Sequence, residues 1–219
     1  MTTIVFHFDF ISPYAYLAFE KLPEALRGLS YSVQYRPVLF GAVLKHHGQL
    51  GPAEIPAKRD WTYRQVLWLA QSLGIELQMP ASHPFNSLAL MRLALAAAPP
   101  DEPSSPNRHV CETLFRHIWQ GGAEAADPAR IESLRETLKL SLEAAGRDED
   151  AVKAQLKANT EEAIARGVFG VPTFEVDGKM FWGLDALPML RGYLLGEPWF
   201  EGPAWNSVTA VSTGVVRRR

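Results

Sequence analysis

The sequence contains a single cysteine, Cys111. One cysteine can form neither an internal disulfide, nor a CxxC redox pair, nor a thiolate zinc site. Long apolar runs are also missing, because the longest candidate, residues 88–98, is short and contains Arg92. Residues 1–7 show no basic stretch leading into an apolar one, so no signal peptide is expected. We therefore predict a reduced, cytoplasmic, soluble protein.

An excess of charge of one sign is absent as well. The 22 lysines and arginines nearly balance the 24 aspartates and glutamates, and a net charge of −2 argues against nucleic acid as the main partner. Phosphate loops, dinucleotide-binding fingerprints and the GxSxG motif of hydrolases are not found. With 219 residues, 47% of them hydrophobic, the chain can form one large domain, or a small domain with an insertion.

The beginning of the sequence predicts a βαβ unit. Residues 4–10 alternate apolar and polar side chains, which is typical of a strand. Ser12 and Pro13 then provide a favoured N-cap and first helical residue, and residues 14–27 have helical spacing up to Gly28. A second strand follows at 31–36, and a right-handed crossover makes the two strands parallel.

The rest of the chain is predicted to be mostly helical before strands return. Residues 37–56 are irregular, and we expect a loop with about one helical turn there. The predicted helices span 58–73, 85–98, 107–120, 128–145 and 149–165, with Pro84 and Pro128 in first turns and Asp127 as an N-cap. A hairpin with an Asp177-Gly178 turn joins strands 172–176 and 179–182, and a helix spans 186–195.

This order of elements, βαβ followed by ββα, predicts an α/β protein with a thioredoxin-like fold. The thioredoxin-like domain would be discontinuous, made of residues 1–45 and 166–199. Residues 46–165 would form a helical insertion domain, and residues 200–219 a mobile tail that ends in three arginines, Arg217, Arg218 and Arg219. Fold alone does not establish function.

Two positions could carry chemistry in such a fold. Ser12 lies at the carboxyl end of the first strand and at a helix N-terminus, where a bound thiolate would be stabilised; the alternative is a serine that only caps its helix. Pro172 stands where the thioredoxin arrangement has a cis-proline whose preceding residue, Val171, pairs with an extended ligand. Its alternative is a trans-proline that opens an edge strand.

Other polar residues are less informative. The histidines show no metal-ligand spacing, and no metal site is expected. Lys45, Lys58 and Arg59 flank the irregular loop, where they could bind carboxylates or simply be solvated. Cys111 falls inside a predicted helix far from both motifs, so we expect it to take no part in function.

Three separated motifs resemble one family. Residues 8–18 (FDFISPYAYLA) are similar to the N-terminal signature of 2-hydroxychromene-2-carboxylate isomerases, which are glutathione-dependent relatives of the kappa-class glutathione transferases. Residues 167–174 and 181–185 (GVFGVPTF and FWGLD) resemble the C-terminal signature, and residues 83–87 (HPFNS) are also similar. The resemblance covers residues 4–195. Related bacterial disulfide oxidoreductases carry CxxC where this chain has SPYA, so dithiol exchange at this motif is excluded.

The resemblance implies a role for particular residues. Ser12 would bond and activate the glutathione sulfur, and the main chain of Val171 would pair with the cysteinyl backbone. Pro172, which follows it, would also contact glutathione. The γ-glutamyl end would be held by Trp182, Gly183, Leu184 and Asp185, with Asp185 facing the ammonium group. The remaining implied contacts are Gln49, where relatives often have asparagine, and Lys58 for glutathione, and Lys45, Phe85 and Asn86 for the substrate.

The resemblance thus implies a glutathione-dependent isomerase of aromatic-compound catabolism, acting as a homodimer. Reversible addition of the glutathione thiolate would convert a 2-hydroxychromene-2-carboxylate-type substrate to the trans-benzylidenepyruvate. Two alternatives stay open. One is a kappa-like transferase that conjugates glutathione to electrophiles, and the other is a non-catalytic thioredoxin-like binding protein.

Overall fold

The computed structural model describes residues 1–212, 214 and 215 and contains a four-stranded sheet in the order β2-β1-β3-β4. The strands are β1 (Thr2–Phe8), β2 (Tyr31–Pro37), β3 (Thr173–Val176) and β4 (Lys179–Trp182). β1 pairs with β2 in parallel and with β3 antiparallel, and β3 pairs with β4 antiparallel. This mixed sheet confirms the predicted thioredoxin-like α/β fold.

Helix α1 (Pro13–Ala25) connects β1 to β2 and packs on one face of the sheet. The alternation along β1 buries Ile4, Phe6 and Phe8 in the apolar core. Phe6 stacks on Phe174 of β3 with ring centroids 4.7 Å apart. The odd-numbered positions face the opposite side, where His7 is also buried.

The middle of the chain is helical, as the sequence predicts. Its helices are α2 (Phe40–His46), α3 (Pro56–Leu73), α4 (Leu88–Ala96), α5 (Arg108–Trp119), α6 (Pro128–Thr137), α7 (Lys139–Ala145) and α8 (Glu149–Ala165). Phe115 of α5 contacts Phe10 and Phe19, with ring centroids 4.8 and 5.1 Å away. The insertion and the sheet therefore share one apolar core, and the predicted domain limits at 45/46 and 165/166 stay a prediction.

Three element predictions were wrong in detail. The segment 37–56 contains the seven-residue helix α2 and a 3-10 turn at Pro52–Glu54, because Val43 and Leu44 bury the inner face of α2. Helix α4 begins at Leu88 and not at residue 85, since the Asn86 carboxamide accepts the Leu88 N–H and Pro84 lies in an irregular segment. The predicted helix 128–145 is divided at Leu138, whose side chain is buried.

The predicted N-cap of this segment is confirmed at the start of α6, where Asp127 accepts the Arg130 N–H.

A 3-10 turn at Leu184–Ala186 precedes the last long helix, α9 (Leu187–Leu194). Beyond it, a 3-10 turn (Pro198–Glu201), helix α10 (Pro203–Asn206) and a further 3-10 turn (Ser207–Ala210) follow. Phe200 is buried and contacts Phe181 and Trp205. The predicted mobility of residues 200–219 stays a prediction, and the three terminal arginines lie outside the described residues. No helix in the described chain is long and apolar enough to cross a membrane.

Candidate active site

Ser12 occupies the turn between β1 and α1. It is the N-cap of α1, and its Oγ accepts the Ala15 N–H at 3.2 Å, as the sequence predicts. The side chain is 7% exposed, and its hydroxyl lies 3.5 Å from the carbonyl oxygen of Val171, to which it donates. The hydroxyl is thus held between the first turn of α1 and the segment that precedes β3.

The Val171–Pro172 peptide bond is cis, in agreement with the thioredoxin arrangement. Val171 is nearly buried, and the Pro172 carbonyl accepts the Gly183 N–H at 2.9 Å. This bond places the residues that follow β4 directly beside the proline. The two separated motifs of the sequence, at Ser12 and at Val171–Pro172, therefore meet in space.

Two cavities open on either side of this junction. The first, here called the β4 pocket, has a volume of about 720 Å³ and is lined by Pro172 and by residues 182–185. The second, the α2 pocket, has a volume of about 610 Å³ and is lined by Ser12, by the start of α2 and by residues 83–88. Val171 and Tyr14 line both. Volumes of this size suit small-molecule ligands.

The predicted site residues divide between these pockets. The β4 pocket is lined by Val171, Pro172, Trp182, Gly183, Leu184 and Asp185, the whole set predicted for the cysteinyl and γ-glutamyl parts of glutathione. The α2 pocket is lined by Ser12, Phe85 and Asn86. Neither lining includes Lys45 near the end of α2, Gln49 after it, or Lys58 in the first turn of α3. The structure does not bring these three residues to the rest of the set.

Trp182 and Asp185 are positioned by close contacts with glycines. The Trp182 ring lies against Gly170, where an added Cβ would stand 2.5 Å from the indole Nε1, and it packs at 4.9 Å against Phe169. A Cβ on Gly183 would stand 2.4 Å from Asp185 Oδ1. The Asp185 carboxylate is therefore folded back over the glycine and exposed at the pocket.

The α2 pocket contains acidic groups. Asp9 is buried, and burial raises the pKa of its carboxyl even though it accepts the N–H groups of Ile11 and Phe40. Glu54 also lines the pocket, with one oxygen 2.6 Å from the Gly51 N–H. In the described part of the chain, no lysine or arginine contributes to this lining. The described lining of the α2 pocket thus provides no lysine or arginine to pair with a bound anion.

Sequence reasoning did not identify Tyr14 or Asp9 as site residues. The Tyr14 hydroxyl donates to Gln65 Oε1 at 2.6 Å, and burial raises its pKa. Asp9 bonds to the backbone of both the α1 turn and α2. The available signals were an acidic residue, Asp9, directly after β1, and a tyrosine two residues after Ser12.

Two other expectations concern metal and thiol chemistry. Among the described residues, no group of three or more histidine, cysteine, aspartate or glutamate side chains is placed to hold a metal ion. Cys111 is fully buried in α5, and burial raises its pKa well above the ordinary value. A buried thiol of this kind is a poor nucleophile.

The chain is similar to known proteins along most of its length. A 2-hydroxychromene-2-carboxylate isomerase from Sphingobium xenophagum is 30% identical over 197 residues, which cover 88% of this chain and 98% of the relative. Human glutathione S-transferase kappa 1 is 31% identical over 222 residues, which cover 95% and 96%. A solved 2-hydroxychromene-2-carboxylate isomerase structure superimposes with a TM-score of 0.73 at 23% identity, covering 96% of this chain and 100% of that one.

The family-level match covers nearly the same part of the chain as the resemblance seen in its motifs. The family model of the DSBA-like thioredoxin domain matches residues 3–195, a range that runs from the second residue of β1 to the end of α9 and includes the linings of both pockets. The curated relatives support an enzyme of the glutathione-related isomerase and transferase group. The chain belongs to the DSBA-like thioredoxin domain family.

Proposed function

We propose that this protein is a glutathione-dependent isomerase that acts on a 2-hydroxychromene-2-carboxylate-type substrate. One observation carries the proposal: Ser12 and Val171 lie where two pockets meet, and each pocket contains one part of the predicted residue set. Relatives named as isomerases of this type and as kappa-class glutathione transferases support the same chemistry.

In the proposed complex, glutathione occupies the β4 pocket and directs its sulfur toward Ser12. The Ser12 hydroxyl and the positive end of the α1 helix dipole would stabilise the thiolate and lower the thiol pKa. Val171 would pair with the cysteinyl backbone, and Asp185 would bind the γ-glutamyl ammonium group. Asp185 is suited to this because its carboxylate is exposed and lies at the pocket wall.

The α2 pocket would hold the electrophile. The thiolate adds to a conjugated carbon of the ring-opened substrate, so one carbon–carbon double bond becomes a single bond that can rotate. After rotation the thiolate leaves, the double bond forms again in the trans geometry, and glutathione is regenerated. The apolar side chains of Ile11, Leu39 and Phe85 provide walls for an aromatic ring.

A specific observation favours a second candidate, a kappa-like transferase. Asp9 and Glu54 line the α2 pocket without a cation in its described lining, and Lys45, predicted for the substrate carboxylate, lies outside it. An uncharged electrophile would avoid repulsion from Glu54, whereas a carboxylate substrate would not. The two candidates share Ser12 and the β4 pocket.

Ser12→Ala tests the part that both candidates share. Loss of the hydroxyl should lower kcat/KM by about a hundredfold, as the loss of one hydrogen bond to a developing anion does elsewhere, and should raise the pKa of bound glutathione. Steady-state kinetics and a titration of thiolate absorbance measure both effects.

The matched control for Ser12→Ala is Asn107→Ala, which removes the N-cap of α5 away from both pockets. Each variant should lose about 1 kcal/mol of stability, but only Ser12→Ala should lose turnover. Full activity of Ser12→Ala would contradict the proposal.

Product and thiol analysis separates the candidates. An isomerase converts the chromene carboxylate with catalytic glutathione and no net loss of thiol, whereas a transferase consumes thiol with a chlorinated aromatic acceptor. Glutathione binding without turnover of either substrate would indicate a binding protein. Cytoplasmic location and a homodimer stay predictions of the sequence.

A further inference from the structure

His83 contacts the Ser12 turn from the irregular segment before α4. Its Nε2 lies 2.8 Å from the Ile11 carbonyl oxygen, and its Nδ1 lies 2.7 Å from the Tyr63 hydroxyl of α3. The ring packs against Trp119 and Phe85 and lines the α2 pocket. His83 therefore joins the insertion to the loop that carries Ser12.

The hydrogen bonds assign the proton on this ring. A carbonyl oxygen can only accept, so Nε2 carries the hydrogen that is donated to Ile11. Burial lowers the pKa of His83, which keeps the ring neutral and leaves Nδ1 as an acceptor for the Tyr63 hydroxyl. The Tyr63 hydroxyl also donates to the His83 carbonyl oxygen at 2.8 Å, so its one proton is shared between these two acceptors and the hydroxyl stays beside the ring.

The Ser12 turn is held at two consecutive peptide groups. In the Ile11–Ser12 peptide, His83 Nε2 donates to the carbonyl, and the Ser12 N–H donates to the Asp9 carbonyl at 3.0 Å. In the preceding peptide, Trp119 Nε1 donates to the Phe10 carbonyl at 3.1 Å, and the Ile11 N–H donates to Asp9 Oδ1. With both ends of the Ile11–Ser12 peptide bonded, its plane and the direction of the Ser12 side chain are determined.

We propose that His83 is a positioning residue for Ser12, which acts by holding the Ile11 carbonyl through its Nε2–H. The inference rests on the proposed function, because Ser12 is given a catalytic role there. His83 itself needs no contact with the sulfur. Removal of its hydrogen bond frees the Ile11–Ser12 peptide to rotate and misplaces the hydroxyl relative to the thiolate.

The test compares His83→Leu with His83→Gln, since glutamine can still donate to the Ile11 carbonyl and leucine cannot. With the full chain and glutathione alone, the pKa of the bound thiol is measured by ultraviolet titration. For His83→Leu the thiol pKa should rise toward that of free glutathione, and kcat should fall about tenfold to a hundredfold with a smaller change in the KM for glutathione. His83→Gln should keep both the thiol pKa and kcat close to their wild-type values.

His117→Leu is the matched control. His117 also has a pKa lowered by burial and a bond from Nε2 to a backbone carbonyl, that of Ala125 at 3.1 Å, but it lines neither pocket. Both leucine variants should lose stability, and only His83→Leu should change the thiol pKa. If His83→Leu does not fold, Tyr63→Phe keeps the imidazole but removes its hydroxyl partner, and it should show a smaller rise in the thiol pKa.

The outcomes separate the two proposals. If the wild-type protein lowers the thiol pKa and the His83 and Tyr63 variants lower it equally, the positioning role is overturned and the proposed function stands. An effect of His117→Leu as large as that of His83→Leu overturns it as well. If the wild-type protein does not lower the thiol pKa, both proposals fail together.

Discussion

The shape of the β4 pocket depends on the backbone of one residue. Gly183 has φ of +100°, a conformation that residues with a Cβ rarely adopt, and its N–H donates to the Pro172 carbonyl. The Asp185 carboxylate occupies the space where a Cβ would stand. The glycine therefore allows the turn after β4 to bring a carboxylate next to the proline.

Gly183→Ala should weaken glutathione binding. The added methyl group collides with Asp185 Oδ1 and forces this carboxylate away from the pocket wall, and the strained φ costs about 1–3 kcal/mol of stability. The KM for glutathione should rise about tenfold, which corresponds to about 1.4 kcal/mol. Kinetics with varied glutathione measure the change.

Gly178→Ala controls for backbone strain alone. Gly178 lies in the β3–β4 turn with φ of +77°, and a Cβ there would meet no atom within 4 Å. This variant should lose stability and keep the wild-type KM. Equal KM values for both alanine variants would show that Asp185 does not contact glutathione.

Local signals explain which site residues could be predicted. The Ser12-Pro13 pair is a helix start that can be identified from neighbouring residues alone, and the structure has that cap. His83 could not be assigned in this way, because its partner, Ile11, is 72 positions earlier in the chain. The bond between them forms only when α3 and the segment before α4 pack around the Ser12 turn.

At the scale of elements, long-range polar contacts determine where a helix forms when the local sequence pattern does not indicate it. The segment 37–56 was predicted to contain only about one helical turn, whereas α2 has seven residues. Only two of the seven are buried, and the first N–H groups of α2 are held by distant side chains. Asp9 accepts the Phe40 N–H, and Thr160 of α8 accepts the Leu39 N–H at 3.0 Å. Helix α8 has strong local signals and was predicted with the observed limits.

Asn159 makes a similar contact between α8 and the sheet. It is 1% exposed, and its Nδ2 donates to the carbonyls of Pro37 and Ser104 at 3.2 and 3.0 Å. Asn159→Ala leaves the buried Pro37 carbonyl and the partly buried Ser104 carbonyl without this donor, and it should cost about 1–3 kcal/mol. Urea unfolding of the variant measures the loss.

Lys157→Ala is the matched control on the same helix, since the Lys157 side chain is 75% exposed. Its free energy of unfolding should stay within about 0.5 kcal/mol of the wild-type value. A loss for Asn159→Ala no larger than this would mean that water replaces the asparagine at both carbonyls.

For the whole molecule, composition and element order were sufficient to predict the fold. They did not predict how the helical insertion packs against the sheet. Aromatic residues of β1, α1 and α5 form one continuous core, to which the sheet and the insertion both contribute. The sheet has a second buried side, under α8, where charged groups meet. No periodic sequence pattern predicts this cluster of charged groups, because His7, Arg166 and Glu175 come from three different elements or their ends.

The charged groups on that side form a connected network. His7 Nε2 lies 3.1 Å from Glu175 Oε2, and Arg166 donates to Glu175 Oε1 at 2.6 Å. Arg166 and Arg36 both pair with Glu162 of α8. The network thus connects β1, β2 and β3 to the end of the insertion.

Glu175 should make stability dependent on pH. The hydrogen bond from His7, together with the Arg166 charge, lowers the pKa of Glu175 below its ordinary value of 4.5 despite burial. A carboxyl whose pKa is lower in the folded state contributes stability above the unfolded pKa and loses it as the pH falls through the folded pKa. Glu175→Gln should therefore cost about 2 kcal/mol near neutral pH, and the difference from wild type should shrink below about pH 4.5.

Urea unfolding of both proteins at a series of pH values measures this difference. Glu161→Gln, which changes an exposed carboxylate of α8, should follow the wild-type profile at every pH. A Glu175→Gln penalty that stays constant into acid would mean that the lost interaction does not depend on the charge of the carboxylate. The network would then act through packing and neutral hydrogen bonds, because a charged pair with a lowered pKa cannot keep its contribution once the carboxylate is protonated.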